Sequence, residues 1–253
     1  MPLTFHNSSN NIVWDLEIKK IGFGKAAAIN QEAVVKEKIV FSWSAGKDSA
    51  LALYKLMTKG DWEITLLTTI TEKYERVSMH GIREYLVEMQ ARSLGLTLEK
   101  VYISPGCTNE EYERKMEELM TRYKNLGIKK VAFGDIFLED VRKYREENLK
   151  KVSMEAVFPL WGRDTREVAN QFINLGFKSI ITCVDTKVLD GSFAGRFFNK
   201  EFLEDLPENI DPCGENGEFH SFVFDGPILR EKIEFSIGQK VLRDERFMFC
   251  DVF

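Results

Sequence analysis

What the 253-residue chain lacks narrows its character first. No apolar run approaches the roughly 18 residues that a bilayer-spanning helix needs. The opening 30 residues hold no basic start leading into an apolar stretch and a small-residue cleavage site, so no membrane association is expected and the expected location is the cytoplasm. The four cysteines, Cys107, Cys183, Cys213 and Cys250, stand far apart with no Cys-x-x-Cys pair, which signals neither a zinc knuckle nor a disulfide framework. Histidine is scarce too: His6, His80 and His220 are the whole set, and no two are spaced to meet at one metal. An excess of positive charge is also missing, since 35 Lys and Arg against 40 Asp and Glu leave a net charge of -5. Nucleic acid is therefore not an expected partner. What is present, 44% hydrophobic and 30% charged residues, suits one large globular domain or two modest ones.

Residues 39–55 carry the strongest signal. The β-formers Ile39-Val40-Phe41 stop at the small-residue turn Ser44-Ala45-Gly46, and a helical pattern of Ala, Leu, Tyr and Lys begins at once. The first N–H groups of a helix have no partner and sit at its positive end, so an anion is favoured there; Gly46 lets a phosphate approach and Lys47 adds a cation. A Walker A loop would need Gly at position 41 and Ser or Thr at 48, where the chain has Phe41 and Asp48. The plain alternative is a helix capped by Ser44 or Asp48 with a turn at Gly46. The run Ser44-Ala45-Gly46-Lys47-Asp48-Ser49 resembles the PP-loop of the ATP pyrophosphatases, with Ala45 where a second Gly is commoner. That resemblance implies contacts to ATP from Ser42, Ser44, Ala45, Gly46, Lys47 and Ser49. The loop amides, Ser44, Lys47 and Ser49 would hold the β and γ phosphates, and Asp48 would help place Mg²⁺. It also implies cleavage between the α and β phosphates, with AMP passed to an acceptor.

From residue 38 onward, helix and strand patterns alternate as an α/β, doubly wound parallel sheet requires, with a smaller C-terminal α+β part, and the PP-loop resemblance implies the Rossmann-like HUP form of that fold. Three segments are expected. Residues 1–37 are an extension of open role, in which Trp14, Leu16 and Ile18 permit a short strand; 38–159 bind ATP; 160–253, beginning in Pro159-Leu160-Trp161-Gly162, bind the acceptor and close the site. A helix over 49–58 leads to a parallel strand over 64–70, and adenine is expected at that strand's end, its edge read by the backbone at Thr68 and Thr69. His80 and Arg83 enter a helix running to about 93, on the side assigned to ATP, though an isolated His often only caps or packs. A strand over 130–133 ends in Gly134-Asp135, the expected place for further active-site groups. Asp135, Glu139 and Arg142, at steps of four and three, are expected to share a helix face. They form either an ion-paired surface or a set in which the acids position Mg²⁺ or the acceptor and Arg142 holds a carboxylate or phosphate. Residues 190–196, with two Gly and Arg196, are suited to closing over a ligand. The turn over 211–222 gathers two Gly, Glu215, Glu218, Cys213 and His220; Glu218 and His220 at alternate positions suit a general base, a cation or an ammonium-like group. Residues 232–253 read as a closing hairpin.

Four stretches, Ser42-Trp43-Ser44-Ala45-Gly46-Lys47-Asp48-Ser49, Ser78-Met79-His80-Gly81, Phe133-Gly134-Asp135-Ile136 and Cys213-Gly214-Glu215-Asn216-Gly217-Glu218-Phe219-His220, together with Asp225-Gly226-Pro227, resemble the diphthine ammonia ligase family, a branch of the PP-loop ATP pyrophosphatases. The resemblance covers residue 38 to the end, and the Gly-Glu-Asn-Gly-Glu-Phe-His turn is its specific marker. It implies an amidation. ATP adenylates the carboxylate of diphthine, a modified histidine on an elongation factor, with release of pyrophosphate; ammonia then displaces AMP. By this resemblance Lys47, Asp48, Glu215, Glu218 and His220 are catalytic, His80, Gly134 and Asp135 join the ATP-binding set, and Glu139, Arg142, Glu215 and Glu218 hold the acceptor. The implied partners are ATP with Mg²⁺, ammonium and a carboxylate acceptor, and apolar strands at both ends hint at a homodimer. A tRNA-thiolating PP-loop enzyme would favour a basic surface and a working cysteine pair, and the chain has neither. A non-catalytic ATP or AMP sensor would have no use for Asp48 and the acidic turn.

Overall fold

The computed structural model describes residues 36–253 apart from Asp61 and Met79; the extension expected to carry a strand near Trp14, Leu16 and Ile18 lies outside the described residues. Lys36–Phe253 form one compact unit. In β1 (Glu37–Ser42), side chains alternate between faces, so that Ile39 and Phe41 join one apolar cluster and Val40 the other. α1 (Lys47–Lys59) starts two residues before the span expected from its sequence and ends at Gly60, whose φ of 71° is left-handed. β2 (Trp62–Thr71) runs parallel to β1, from Glu37↔Trp62 to Ser42↔Leu67, and parallel to β4 (Thr97–Ile103) on its other edge. α2 (Glu84–Leu94) precedes β4 and stops at Gly95. α3 (Asn109–Asn125), opened by a capping box between Thr108 and Glu111, leads to β5 (Lys130–Ala132) beside β1; α4 (Glu139–Lys151) leads to β6 (Glu155–Val157). The parallel strands lie in the order β4-β2-β1-β5-β6, so the chain reverses direction of winding at β1. Ligands of such sheets sit at the carboxyl end of that strand.

One irregularity prepares the site. β1 stops at Ser42, paired to Leu67, while β2 runs on to Thr71. The edge left open is taken by the two-residue strand β3 (Arg76–Val77), antiparallel to β2 at Ile70↔Val77, and Ser78 N donates to Thr69 O at 3.0 Å. The loop that follows, with His80 in it, is thereby laid over the turn after β1.

After α5 (Thr165–Asn174), capped by Asp164, the chain builds a second, antiparallel sheet in the order β8-β7-β10-β9. Its strands are β7 (Lys178–Asp185), β8 (Phe219–Asp225), β9 (Ile237–Arg243) and β10 (Phe247–Val252), with α6 (Lys200–Asp205) between the first two and the expected hairpin as the last two. One apolar cluster, including Phe41, Leu51, Leu86, Phe172, Ile180, Phe202 and Phe222, passes from the α1 and α2 side of the parallel sheet into this second sheet. A smaller one, with Val40, Met120, Tyr123, Val131 and Leu149, lies under α3 and α4. Burial of these side chains, each contributing about 1.5–3 kcal/mol, holds β8 against the start of α1. Among the described residues no helix is long and apolar enough to cross a membrane.

Candidate active site

The turn between β1 and α1 is braced from three sides. Trp43 N donates to Leu67 O at 2.7 Å, Trp43 Nε1 to Gln90 Oε1 at 2.9 Å, and Thr68 Oγ1 to Trp43 O at 2.6 Å. Ala45 adopts φ 66°, a left-handed conformation that costs a residue with a Cβ roughly 1–2 kcal/mol and glycine almost nothing. This is the position where the PP-loop pattern more commonly has another Gly beside the one at 46. Ala45 O accepts from Val223 N at 3.0 Å and from Gln90 Nε2 at 3.2 Å, which holds the strained residue in place. Gly46 is needed for closeness instead: a Cβ there would lie 3.1 Å from Ser221 O and 3.2 Å from His80 Cε1. Within the loop, Ser44 Oγ donates to Ser49 Oγ at 3.0 Å and Ser49 Oγ to Gly46 O at 2.9 Å.

Gly134 packs directly on the first turn of α1, where a Cβ would come within 2.9 Å of Ser49 N and 3.1 Å of the Asp48 carbonyl carbon. Backbone on both sides leaves no flexible group to yield. Gly134→Ala is expected to push the helix start aside, lowering stability by about 1–3 kcal/mol. Urea unfolding checks this, and an unchanged value would deny Gly134 this spacing role.

The turn over 211–221 lies on the same helix start. Asp211 Oδ1 accepts from Cys213 N at 2.9 Å and Glu215 N at 3.1 Å, and Glu218 Oε1 accepts from Asp211 N at 3.2 Å and Asn216 Nδ2 at 2.9 Å, leaving the buried Glu218 Oε2 without a partner. Ser221 Oγ accepts from Lys47 N at 3.1 Å. Lys47 itself is buried. Its ammonium is 2.7 Å from Asp48 Oδ2, donates to Cys213 O, and stands 5.1 Å from the Phe219 ring and 5.6 Å from the Phe198 ring. Burial pulls the Lys47 pKa down, but Asp48, with Glu215 beyond it, more than reverses this, and the group is held charged. Burial lifts Asp48 more than Lys47 lowers it. Glu215 Oε1 accepts from Ile136 N at 2.6 Å, and burial, reinforced by Asp48, pushes its carboxyl up to about 7.

His80 and His220 meet beside this cluster with ring centroids 4.5 Å apart, their carbonyls both within reach of the Thr182 hydroxyl, at 3.2 and 3.4 Å. Burial first and Lys47 second bring His220 down to about 4; burial, His220 and Lys47 hold His80 well below the usual range, so both rings are neutral. His220 lines a groove of about 1000 Å³ between residues 71–81 and the β9–β10 hairpin, walled by Tyr74, Val241, Phe249 and Phe253. Asp251 ties that hairpin to the loop by ion pairs to Arg76 at 2.8 Å and Arg83 at 2.6 Å. A second, largely apolar cavity of about 70 Å³ opens beside Ser42, between the sheet and helices α3 and α4, lined by Leu67, Tyr112, Met116 and Phe133.

The structure thus brings Ser44, Ala45, Gly46, Lys47, Asp48, Ser49, His80, Gly134, Glu215 and His220 together, with Glu218 bracing the turn. It differs from expectation in three places. Thr68 is buried with its hydroxyl engaged, and the Thr69 carbonyl is bonded to Ser78, so β3 covers the edge that adenine was expected to use. Asp135, Glu139 and Arg142 share no helix face, because α4 begins only at Glu139; Asp135 pairs with Arg145 at 2.8 Å, Glu139 is exposed, and Arg142 pairs with Glu146 at 2.7 Å and stacks 4.7 Å over Trp161. Arg196, expected to close over a ligand, pairs with Asp205 at 2.6 Å and stacks on Phe193. Gln90, Asp211 and Ser221 were not singled out from sequence; the only sign of Gln90 was an amide on the inward stripe of α2.

Similarity to known proteins spans both halves of the chain. The family model described as the diphthamide synthase N-terminal domain matches residues 37–156, and that of the diphthamide synthase C-terminal domain matches 164–251. A diphthine--ammonia ligase of Rattus norvegicus is 25% identical over 224 residues, covering 79% of this chain and 83% of its own length. The Homo sapiens diphthine--ammonia ligase is 24% identical over 215 residues, covering 75% and 79%. A solved structure described as a predicted subunit of tRNA methyltransferase from Methanocaldococcus jannaschii covers 78% of this chain and 100% of its own at 17% identity, with a TM-score of 0.42.

Proposed function

The chain belongs to the diphthamide synthase family, and from that premise we propose that it is an AMP-forming amide ligase: it adenylates a carboxylate with ATP, releases pyrophosphate, and transfers ammonia to the activated carbonyl. The observation that carries this reading is the contact of two distant segments, the phosphate-type loop at 44–49 and the acidic turn at 211–221, around one buried ammonium and one pair of imidazoles. A pure nucleotide binder has no need of the second segment. Residues 38–159 supply the nucleotide side and 160–253 the acceptor side.

The β and γ phosphates lie on the free amides at the start of α1 with Ser44 and Ser49, where the helix dipole favours them. Among the described residues no three metal-ligating side chains gather into a cage of their own. Asp48 and Glu215, two half-buried carboxylates that desolvation holds above their ordinary values, fit Mg²⁺ shared with phosphate oxygens. The ion, when bound, would neutralise charge on the departing pyrophosphate. The acceptor carboxylate arrives through the groove that reaches His220. Its oxygen attacks the α phosphorus, the bond to the β phosphate breaks, and Lys47 with the helix amides stabilises the charge that develops. The acceptor is diphthine on an elongation factor, and the setting is cytoplasmic.

The test is product analysis with ATP, Mg²⁺, ammonium and an elongation factor bearing diphthine. Wild type is expected to yield AMP, pyrophosphate and an amidated acceptor, with Asp48→Asn lowering the rate by about 100-fold or more. Formation of ADP and phosphate would overturn the reading.

A further inference from the structure

We propose that His80 and His220 form a two-imidazole relay that removes the proton from the ammonia nitrogen after it has added to the adenylated carbonyl, and delivers it to the groove. The proposal rests on the amide-ligase reading above. The two rings come from opposite halves of the chain and meet where the nucleotide side and the acceptor side touch. His80 faces inward, its Cε1 3.2 Å from where a Cβ on Gly46 would stand, and its Nδ1 is buried without a hydrogen-bond partner. His220 faces outward and lines the groove. An unpartnered ring nitrogen costs stability, so a structure that keeps one next to a phosphate loop holds open a place for a proton.

The surrounding charges decide which form of the nucleophile enters. From α1 the group facing both rings is the Lys47 ammonium. From β7 come Thr182 and Cys183, the latter a thiol pushed up to about 12 by burial and therefore neutral, and from β8 comes the Ser221 backbone. The Lys47 charge is already paired to Asp48, and the desolvated surroundings of two neutral rings disfavour an unpaired NH₄⁺ and admit NH₃. The ammonia lone pair forms the C–N bond and the carbonyl π pair moves to oxygen. One proton then passes from the cationic nitrogen to His80, the carbonyl re-forms, and the C–O bond to AMP breaks, AMP leaving with the electron pair. His80 passes the proton to His220 and His220 to groove water, so both rings are neutral again.

His80→Gln and His220→Gln separate the two halves of the reaction. With the diphthine-bearing elongation factor as acceptor, exchange of labelled pyrophosphate into ATP reports adenylation, and mass spectrometry reports the amide. Each variant is expected to lose about 100-fold or more in amide transfer and under roughly tenfold in exchange. Hydroxylamine, whose adduct sheds its proton to water more readily, should recover roughly tenfold of the transfer in both variants. Equal losses in the two halves, or no recovery, would mean that the histidines only pack, and would overturn the relay. If wild type shows no exchange, the assigned acceptor is wrong, and ¹⁵N NMR of the imidazoles judges the relay by itself. One ring N–H directed at the other ring, with both neutral at pH 6, supports it; two rings bonded elsewhere, or either one charged, overturn it.

Discussion

Lys47→Met should cost about 3–5 kcal/mol of stability at pH 7 and abolish AMP formation. The ammonium is almost wholly buried, and its polar neighbours are a carboxylate at 2.7 Å and the Cys213 carbonyl, with two aromatic rings closing the remaining sides. Methionine fills the volume and keeps the ring contacts, so the loss isolates the charge. What it leaves behind is Asp48, half-buried and already lifted by desolvation, with Glu215 and Asp211 near enough to repel it. Breaking one side of such a pair is costlier than removing both, and Lys47→Met with Asp48→Asn should therefore recover a good part of the stability while remaining inactive. The pH dependence follows from the same pair. Lys47 has a folded pKa above its ordinary 10.5, so its stabilising contribution is complete below 10.5 and is lost as pH rises through the raised value. Wild type and variant should converge only in strong alkali. A single variant within 1 kcal/mol of wild type in urea unfolding at pH 7, or a double variant no better than the single, would show that the ammonium is not the counter-charge of this cluster.

The strand, turn and helix of residues 37–59 were legible because three local signals coincide there: an apolar β run, small residues where the backbone must bend, and a helical period immediately after. Two misplacements share one cause, which is that spacing along the chain does not report where a regular element begins. Asp135 was counted with Glu139 and Arg142, yet Leu138 is the residue before the helix, and the five residues from Gly134 are not helical. β3 is two residues long, below the reach of any periodicity, and yet it decides that Thr69 is closed and that His80 lies over Gly46. The quality of the acidic turn could be read from its composition, but its seat on α1 could not. That seat comes from Ser221, from Gln90 and from the apolar cluster shared by both sheets, all of them long-range contacts. Gln90 Nε2 reaches both Ala45 O and Val223 O, so a single buried amide ties the left-handed residue of the loop to β8. In sequence it looks like one more polar residue on a helix.

Glu215→Gln should make the protein more stable above pH 7 and flatten its pH profile. The Glu215 carboxyl titrates near 7 in the folded chain, against an ordinary value of 4.5. Between these values the folded state binds more protons than the unfolded state, so stability falls as pH rises through that window, by at most about 3 kcal/mol. Glutamine keeps an oxygen to accept from Ile136 N and removes only the ionisation, so the variant should match wild type near pH 4.5 and exceed it by about 2–3 kcal/mol at pH 8. Equal slopes in urea unfolding at pH 5, 6, 7 and 8 would mean that the carboxyl is ordinary. The same group tells what the nucleotide brings with it. If Glu215 shares Mg²⁺ with the phosphates, binding at pH 6 must expel its proton, and calorimetry in two buffers of different ionisation heat will register close to one proton released, vanishing in Glu215→Gln. If the phosphates approach without a cation between, their charge adds to that of Asp48 and binding must take up protons at pH 8. The sign of that proton flux therefore distinguishes a carboxylate that helps to hold the metal from one that meets the phosphates without it.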